Sequence, residues 1–558
     1  MLTLSLASAL FPHDAMAETP KLILQITVDQ LRGDMLNRYQ DRFGEGGFNY
    51  LLNKGIVYQN AQHAHANTET IVGHTTLSTG AYPANHGMVG NVWYDRSLGH
   101  SVYNIEDPRY PLLSADGDVN KKTEIDPTQK TASTSGRSPM NILVSTFSDE
   151  LALKTNGKAK VFGVSVKDRG AVAMAGHAGK AFWFSKKSGE FVSSKFYYQD
   201  YPNWVKQHNA TKPAQHYANK TWQLAKPQNS YLFANNDDQD WEVAFPGFGR
   251  TFPHQYGAGD GKYFTTFLTL SPAGDQLTAN FAKLLIENEA IGQDEITDYL
   301  SVSFSSTDYV GHIFGPSSLE AEDNLLHLDK TLADLLNYID KKVGLDNTVI
   351  VLSADHGSPE SPEYLQNMGI DAQYVGPNKW ETETAIKAVK QQFKIASSDK
   401  LINKFQTPYL YLNHVTLAKY QLNPEQVQRA VANEITKLHG VAFSATSSDI
   451  NNNHLPDTRV AKLVSNHHPQ RSGDIYIVFK PHYFINEFDG LSVASSHGSP
   501  WRYNTFVPLI FAGKNIDQQT VSRTVETVDI AITLATIADT KQPSGSDGNV
   551  LIEVIEQD

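Results

Sequence analysis

Thr348-Val-Ile-Val-Leu-Ser-Ala-Asp355-His356-Gly357 is an apolar, largely β-branched run that stops on an acid, an imidazole and a glycine. Six such residues without polar alternation read as a strand buried on both faces, as parallel strands are. In open α/β sheets ligands sit beyond the carboxyl ends of the strands. Asp355 and His356 stand at that end, and Gly357 permits the tight turn after them. Carboxylate and imidazole are the ligands zinc accepts where thiolate is missing.

The same pattern recurs on both sides. Lys21–Val28 is β-rich and ends at Asp29; taken alone, Asp29 is equally readable as a helix N-cap. Lys160–Val166 runs into Lys167-Asp168-Arg169-Gly170, two cations that clamp an anion or sit on a solvated turn. Asp298–Phe304 leads to Asp308 and His312, four residues apart. In a helix that pair shares a face, as metal ligands do, but Gly311 and Gly315-Pro316 leave a loop equally open. Val507–Gly513 is a further strand, Gly473–Lys480 reads as an edge strand, and His497 lies in a small-residue loop.

Helices separate these runs. Leu325, Leu328, Leu332, Leu335, Leu336 and Ile339 repeat at helical spacing from Leu319 to about Asp340. Glu425–His439, with Pro424 before it, and Val528–Ala538 are two more. Strand–helix alternation predicts an α/β fold: a central, mostly parallel sheet flanked by helices on both faces. Two stretches interrupt it, at about 190–285 and 380–480. The first is rich in Tyr, Trp, Asn and Pro and reads as irregular insertions with hairpins around a pocket.

Asn67–Asn91, NTETIVGHTTLSTGAYPANHGMVGN, stands apart. A helix starting near Thr70 would run through Ile71, His74 and Leu77 and stop at Gly80. A Thr at that start is either a cap, as Thr68 also could be, or a hydroxyl beside unpaired N–H groups that attract anions. Gly176–Lys180, GHAGK, lacks the spacing of a phosphate-binding loop.

The 558 residues carry 60 acidic and 47 basic side chains, for a net charge of −13. That balance argues against a nucleic acid duplex or a membrane as partner. With no cysteine, thiol nucleophiles and thiolate metal sites are excluded, leaving the acids and 20 histidines to hold any metal. Leu2–Phe11 is a short apolar run and Ala15-Met16-Ala17 fits a cleavage site. Residues 1–17 are therefore expected to be a signal peptide lacking the usual basic start, and the protein periplasmic or secreted; the length suggests more than one domain or one large domain with insertions, and 18–558 is expected to be a single domain interrupted by the two stretches above.

In order along the chain, TVDQ (27–30), TIVGHTTLSTGAYPANHGMVGN (70–91), VSVKDRGA (164–171), STDYVGH (306–312), SADHG (353–357) and SSHGSP (495–500) resemble the alkaline phosphatase superfamily. The likeness is to its threonine-nucleophile branch: phosphate-irrepressible periplasmic alkaline phosphatases, related to nucleotide pyrophosphatase/phosphodiesterases. The resemblance implies an alkaline-phosphatase-like fold and two Zn2+. Asp308, His312 and His497 would hold one; Asp29, Asp355 and His356 the other, with Thr70 beside a zinc. Thr70 would be the nucleophile and form a phosphothreonine. Asn91, Lys167 and Arg169 would bind the phosphoryl group, and the Lys/Arg pair favours small-molecule phosphate monoesters.

A nucleotide phosphodiesterase is the alternative, and a non-catalytic periplasmic metal-binding protein a weaker one. A sulfatase would need Cys or Ser at position 70, and a phosphoglycerate mutase Ser. No sequence feature supports an additional Ca2+ or Mg2+ or sets an oligomeric state.

Overall fold

Side chains of Leu22–Val28 (β1) divide between two layers: Leu22, Leu24, Ile26 and Val28 join one core and Ile23 another. That is the period-2 alternation of a strand covered on both faces. The computed structural model describes residues 19–376, 382–488 and 491–556. The expected signal segment, 1–17, lies outside the described residues.

The central sheet has nine strands. They are β1, Ile56–Gln62 (β2), Val161–Ser165 (β3), Lys180–Ser185 (β4), Glu190–Val192 (β5), Asp298–Phe304 (β6), Thr348–Ser353 (β7), and, after an inserted unit, Leu509–Gly513 (β12) and Gln519–Glu526 (β13). Their spatial order is β13-β2-β12-β7-β1-β6-β3-β4-β5. From β7 to β4 all neighbours are parallel. β12 is antiparallel to both its neighbours, and β5 is antiparallel to β4. Thr27 lies opposite Ser303 and Ser353, and Ser303 opposite Ser165. Four strands therefore end at one level, which brings Asp29, Lys167, the Asp308 segment and Asp355 to one edge.

Helices Thr70–Thr79 (α1), Asp168–Ala175 (α2), Pro272–Asn288 (α3), Ser306–Phe314 (α4), Leu319–Lys342 (α5) and Asp529–Ile537 (α7) cover the two faces. Leu325, Leu328, Leu332, Leu335, Leu336 and Ile339 of α5 are buried with the β1 side chains of the first core. Leu534 packs with Ile23 in the second.

The inserted unit is a separate four-stranded sheet of Ile402–Gln406 (β8), Tyr409–Leu412 (β9), Val441–Thr446 (β10) and Ile475–Phe479 (β11), in the order β8-β9-β11-β10. It carries helix Pro424–Thr436 (α6) and has its own apolar cluster. The expectation of an edge strand at 473–480 is corrected here. β11 is an inner strand, and its fully buried IYIVF run is what an inner strand requires.

The stretch 190–285 is also less irregular than expected. It opens with sheet strand β5 and ends in the 17-residue helix α3, whose Leu277, Phe281 and Leu285 join the first core. Between them the one strand pairing among the described residues is a two-residue antiparallel pair of distant segments, Thr221–Trp222 with His254–Gln255, and not a hairpin. Trp222 and Phe248 both pack on His254 there.

Candidate active site

Helix α1 is buried from end to end and stops at Gly80, whose φ of +64° gives the left-handed C-cap. Neither threonine is a cap. Glu69 holds the N-cap position with no side-chain capping bond, and Thr70 is the first helical residue. Thr68 instead ties in the loop of His497: its Oγ1 donates to Ser499 O (3.0 Å) and accepts from Ser499 N–H (3.1 Å). Asn91 does the capping from a distance, its Oδ1 accepting the Ile71 N–H at 3.1 Å. That leaves the Asn91 amide nitrogen to donate elsewhere. Gly73 lets the helix touch the end of β7, since a Cβ there would lie 1.9 Å from Asp355 O. His74 Nδ1 stands 2.9 Å from Thr70 O and 3.1 Å from Asp355 Oδ2, linking this helix to the strand end.

Helix α4 answers the question left open at 305–316: it puts Asp308 and His312 on one face, with His312 Nε2 3.2 Å from Asp308 Oδ1. His497 Nε2 is 3.5 Å from the same oxygen. His356 Nε2 is 3.5 Å from Asp29 Oδ1 and 3.6 Å from Asp355 Oδ2. Among the described residues two groups bring their ligand atoms within 4.8 Å of one another: Asp308, His356 and His497, and Asp29, Asp355 and His356. His356 thus faces both groups, and its ring lies 3.7 Å from that of His497. The family resemblance implied one group only.

These residues fit metal ions. His312, His356 and His497 each turn Nδ1 onto a backbone carbonyl, Ser495 O (2.7 Å), Gly357 O (3.1 Å) and Thr68 O (2.8 Å). Those bonds assign the proton to Nδ1 and point each Nε2 lone pair at carboxylate oxygens. Lone pair facing carboxylate is repulsive without a cation or a proton between them. Asp29 Oδ1 and His356 Nε2 are moreover buried with no hydrogen-bond partner. Burial pushes the His356 and His497 imidazoles down, toward the neutral form a metal ligand needs. His312 goes up, since Asp308 outweighs its burial. Burial and the Asp355 charge raise the Asp29 carboxyl. Burial would also raise Asp308 and Asp355, but His312 and Lys167 hold the first below the usual carboxylate range, and His356 and His74 the second.

Lys167 and Arg169 part company. The Lys167 ammonium lies on Asp29, 2.8 Å away, and on Asp308, one carboxylate from each group. Arg169 Nη2 is 3.4 Å from Thr70 Oγ1, and its Nη1 pairs with Asp126 at 2.7 Å. Asp168 between them is structural: it accepts from Tyr103 Oη (2.6 Å), Gln129 (3.0 Å) and Arg137 (2.8 Å) and so aims its neighbours.

Above these groups opens a cleft of about 130 Å³. Glu69, Asn91, Asp126, Arg169, Asp308 and His497 line its polar side. Phe479, Tyr483, Phe484 and Ile485, from the inserted unit and just beyond it, line the other. No lining residue falls in 190–285, so the expectation that this stretch surrounds the pocket is corrected; its aromatics pack on the core.

Three residues of the site went unread. Asp126 caps the short helix Pro127–Thr131, and its place in the site depends on an ion pair 43 residues away in sequence. Glu69, beside Thr70, accepts the Asn91 N–H, and burial pushes its carboxyl up to about 7. Gln30 bonds two of the carboxylates. Gln30 sits within the motif TVDQ and Glu69 in the stretch 67–91, directly before the motif that starts at Thr70, the one signal that could have found them.

A family model described as Type I phosphodiesterase / nucleotide pyrophosphatase matches residues 23–500, a span that holds every residue expected at the site. The chain belongs to this family. The alkaline phosphatase PafA of Elizabethkingia meningoseptica is 35% identical over 544 residues, 96% of this chain and 94% of that protein. The alkaline phosphatase PhoV of Synechococcus elongatus is 32% identical over 96% and 93%. A Myroides odoratus protein named calcium-transporting ATPase is 33% identical over 97% and 95%. A crystal structure of alkaline phosphatase PafA matches with a TM-score of 0.88 at 34% identity, covering 97% of this chain and 100% of that one. Murine ectonucleotide pyrophosphatase/phosphodiesterase 5, at 12% identity and a TM-score of 0.51, shares the fold. Within the family this chain stands on the alkaline phosphatase branch.

Proposed function

We propose that this family member hydrolyses phosphate monoesters through a phosphothreonine at Thr70. The observation that carries the reading is Thr70 itself. It begins a buried helix beneath the cleft, with an Arg169 amino group 3.4 Å from its hydroxyl and a carboxylate–imidazole array beside it. Asp308, His312 and His497 would hold one metal ion and Asp29, Asp355 and His356 a second, with His356 able to face either. A donor set of carboxylate and imidazole suits zinc. Two zinc ions, when bound, supply the positive charge that makes a Thr hydroxyl nucleophilic and offsets charge on the phosphoryl group.

The chain's own groups do the rest. The Thr70 oxygen forms a bond to phosphorus as the ester P–O bond breaks, and the leaving alcohol takes a proton. Water then cleaves the phosphothreonine, releasing inorganic phosphate and restoring the hydroxyl. Arg169, the Asn91 amide nitrogen and the N–H groups of the first turn of α1 other than that of Ile71, which Asn91 takes, would donate to the non-reacting oxygens. Lys167 balances Asp29 and Asp308, and it serves the phosphoryl group only on leaving them. A monoester presents one more charged oxygen than a diester, and the Lys/Arg pair matches it.

The relatives named alkaline phosphatases support this reading. The family description supports the nucleotide phosphodiesterase alternative. No helix among the described residues is long and apolar enough to cross a membrane. The Leu2–Ala17 segment supports a periplasmic or secreted location. Hydrolysis of p-nitrophenyl phosphate against bis-p-nitrophenyl phosphate, with metal analysis of the same sample, is the test. Preference for the monoester with zinc bound is expected; preference for the diester overturns the proposal.

A further inference from the structure

Gln30 follows Asp29 at the end of β1, and its backbone is left-handed, with φ +69°. Few residues other than Gly, Asn and Asp adopt that conformation. A glycine would adopt it with less strain, so the side chain has to account for a glutamine. It is buried, with 3% of its surface exposed. Its main-chain N–H donates to Asp355 Oδ1 at 3.1 Å, and its side-chain Nε2 donates to Asp308 Oδ1 at 2.9 Å. One residue therefore holds a carboxylate from each ligand group, directly after Asp29. The left-handed turn is what aims both donors at the same edge of the sheet.

Helix α4 is shaped to receive this amide. Three residues after Asp308 comes Gly311, where a Cβ would fall 1.9 Å from Gln30 Oε1. Any side chain at 311 would push the amide off Asp308. The other bonds to Asp308 Oδ1 are the longer approaches of His312 and His497, and its Oδ2 is met by Lys167.

We propose that Gln30 is a positioning residue that sets Asp308 against Asp355, and so the spacing of the two metal-ligand groups. It touches neither substrate nor reacting atoms. The inference rests on the two-metal reading above.

The test uses the full chain with Gln30→Gly and Gln30→Met. Both lack the amide and keep the main-chain N–H; the first relaxes the backbone and the second preserves bulk. Zinc stoichiometry and competition with a chelator give the two dissociation constants, alongside kcat and KM on p-nitrophenyl phosphate. Lost outer-shell partners typically weaken metal binding 10–100-fold. The expected result is one zinc weakened by about that factor in both variants, the other held within threefold, and kcat lowered with KM little changed. Wild-type affinity for both ions, equal weakening of both, or failure of both variants to fold overturns the proposal. Wild-type protein that binds fewer than two zinc ions overturns the two-metal reading itself, a different result from any of these.

Discussion

Gly73→Ala adds one methyl group, and its effect follows from where that methyl must go. The new Cβ would sit 1.9 Å from Asp355 O, 2.6 Å from its C and 2.7 Å from its Cα. All three are backbone atoms at the end of β7, so no side chain can swing away. An ordinary contact begins at 3.4 Å, which asks helix and strand end to separate by about 1.5 Å. Thr70 lies three residues earlier on the same helix, and Asp355 is itself an expected metal ligand. The separation thus opens the distance between hydroxyl and metal group. A misplacement of ~1 Å can cost about 100-fold in rate, or about 2.7 kcal/mol in the barrier. Overpacking of this kind also costs about 1–3 kcal/mol of stability. The assay is kcat/KM on p-nitrophenyl phosphate, with circular dichroism to establish that the variant is folded. A folded G73A within threefold of wild type would refute the claim that helix and strand end must touch for Thr70 to act.

Thr70→Ala removes the nucleophile while leaving the acids and imidazoles in place; turnover is expected to fall at least about 1000-fold, with zinc near two per chain by elemental analysis, and full activity would sink the assignment. Arg169→Ala should lower monoester kcat/KM by about 100-fold or more and diester kcat/KM by about tenfold or less, since a charged hydrogen bond to the third oxygen is lost; equal losses on both substrates would argue for a diesterase. Burial and neighbouring Glu320 push the Glu242 carboxyl up to about 9. Its unfolded value is about 4.3, so the folded state holds an extra proton between the two. That contribution to stability is fully present below about 4.3 and is lost as pH rises through about 9. Thermal midpoints of Glu242→Gln should accordingly decline less than wild type between pH 5 and 9, and parallel declines would show that Glu242 does not titrate there.

The strands around the site were legible because each is a buried apolar run that ends on a charged residue, and Lys21–Asp29 and Thr348–His356 state that plainly. Helix α5 was legible for its leucine repeat. Helix α3 has the same kind of repeat, Leu277, Phe281 and Leu285, but it follows an aromatic, proline-rich stretch whose composition overrode it. An apolar run such as Ile475–Phe479 identifies a strand, yet its place in a sheet depends on partners far away in sequence. In the central sheet β2, β4, β5 and β13 went unread; β2 and β13 alternate with polar residues, and β13 is the edge strand with β2 next to it. At the site, residue types and the order of motifs carried the metal-ligand groups. The left-handed turn at Gln30 and the pair between Asp126 and Arg169 are matters of conformation and long-range contact, which no local pattern records.

Phe479, Tyr483 and Ile485 belong both to the cleft and to the apolar cluster that the inserted unit keeps for itself. The insert does not stand apart from the candidate site, however: Tyr409, Tyr411, Tyr476 and Val478 of its sheet share a second cluster with Ile71 and Val72 of α1. One small sheet thus backs a wall of the cleft and the helix that begins with Thr70, so a change in its packing reaches both.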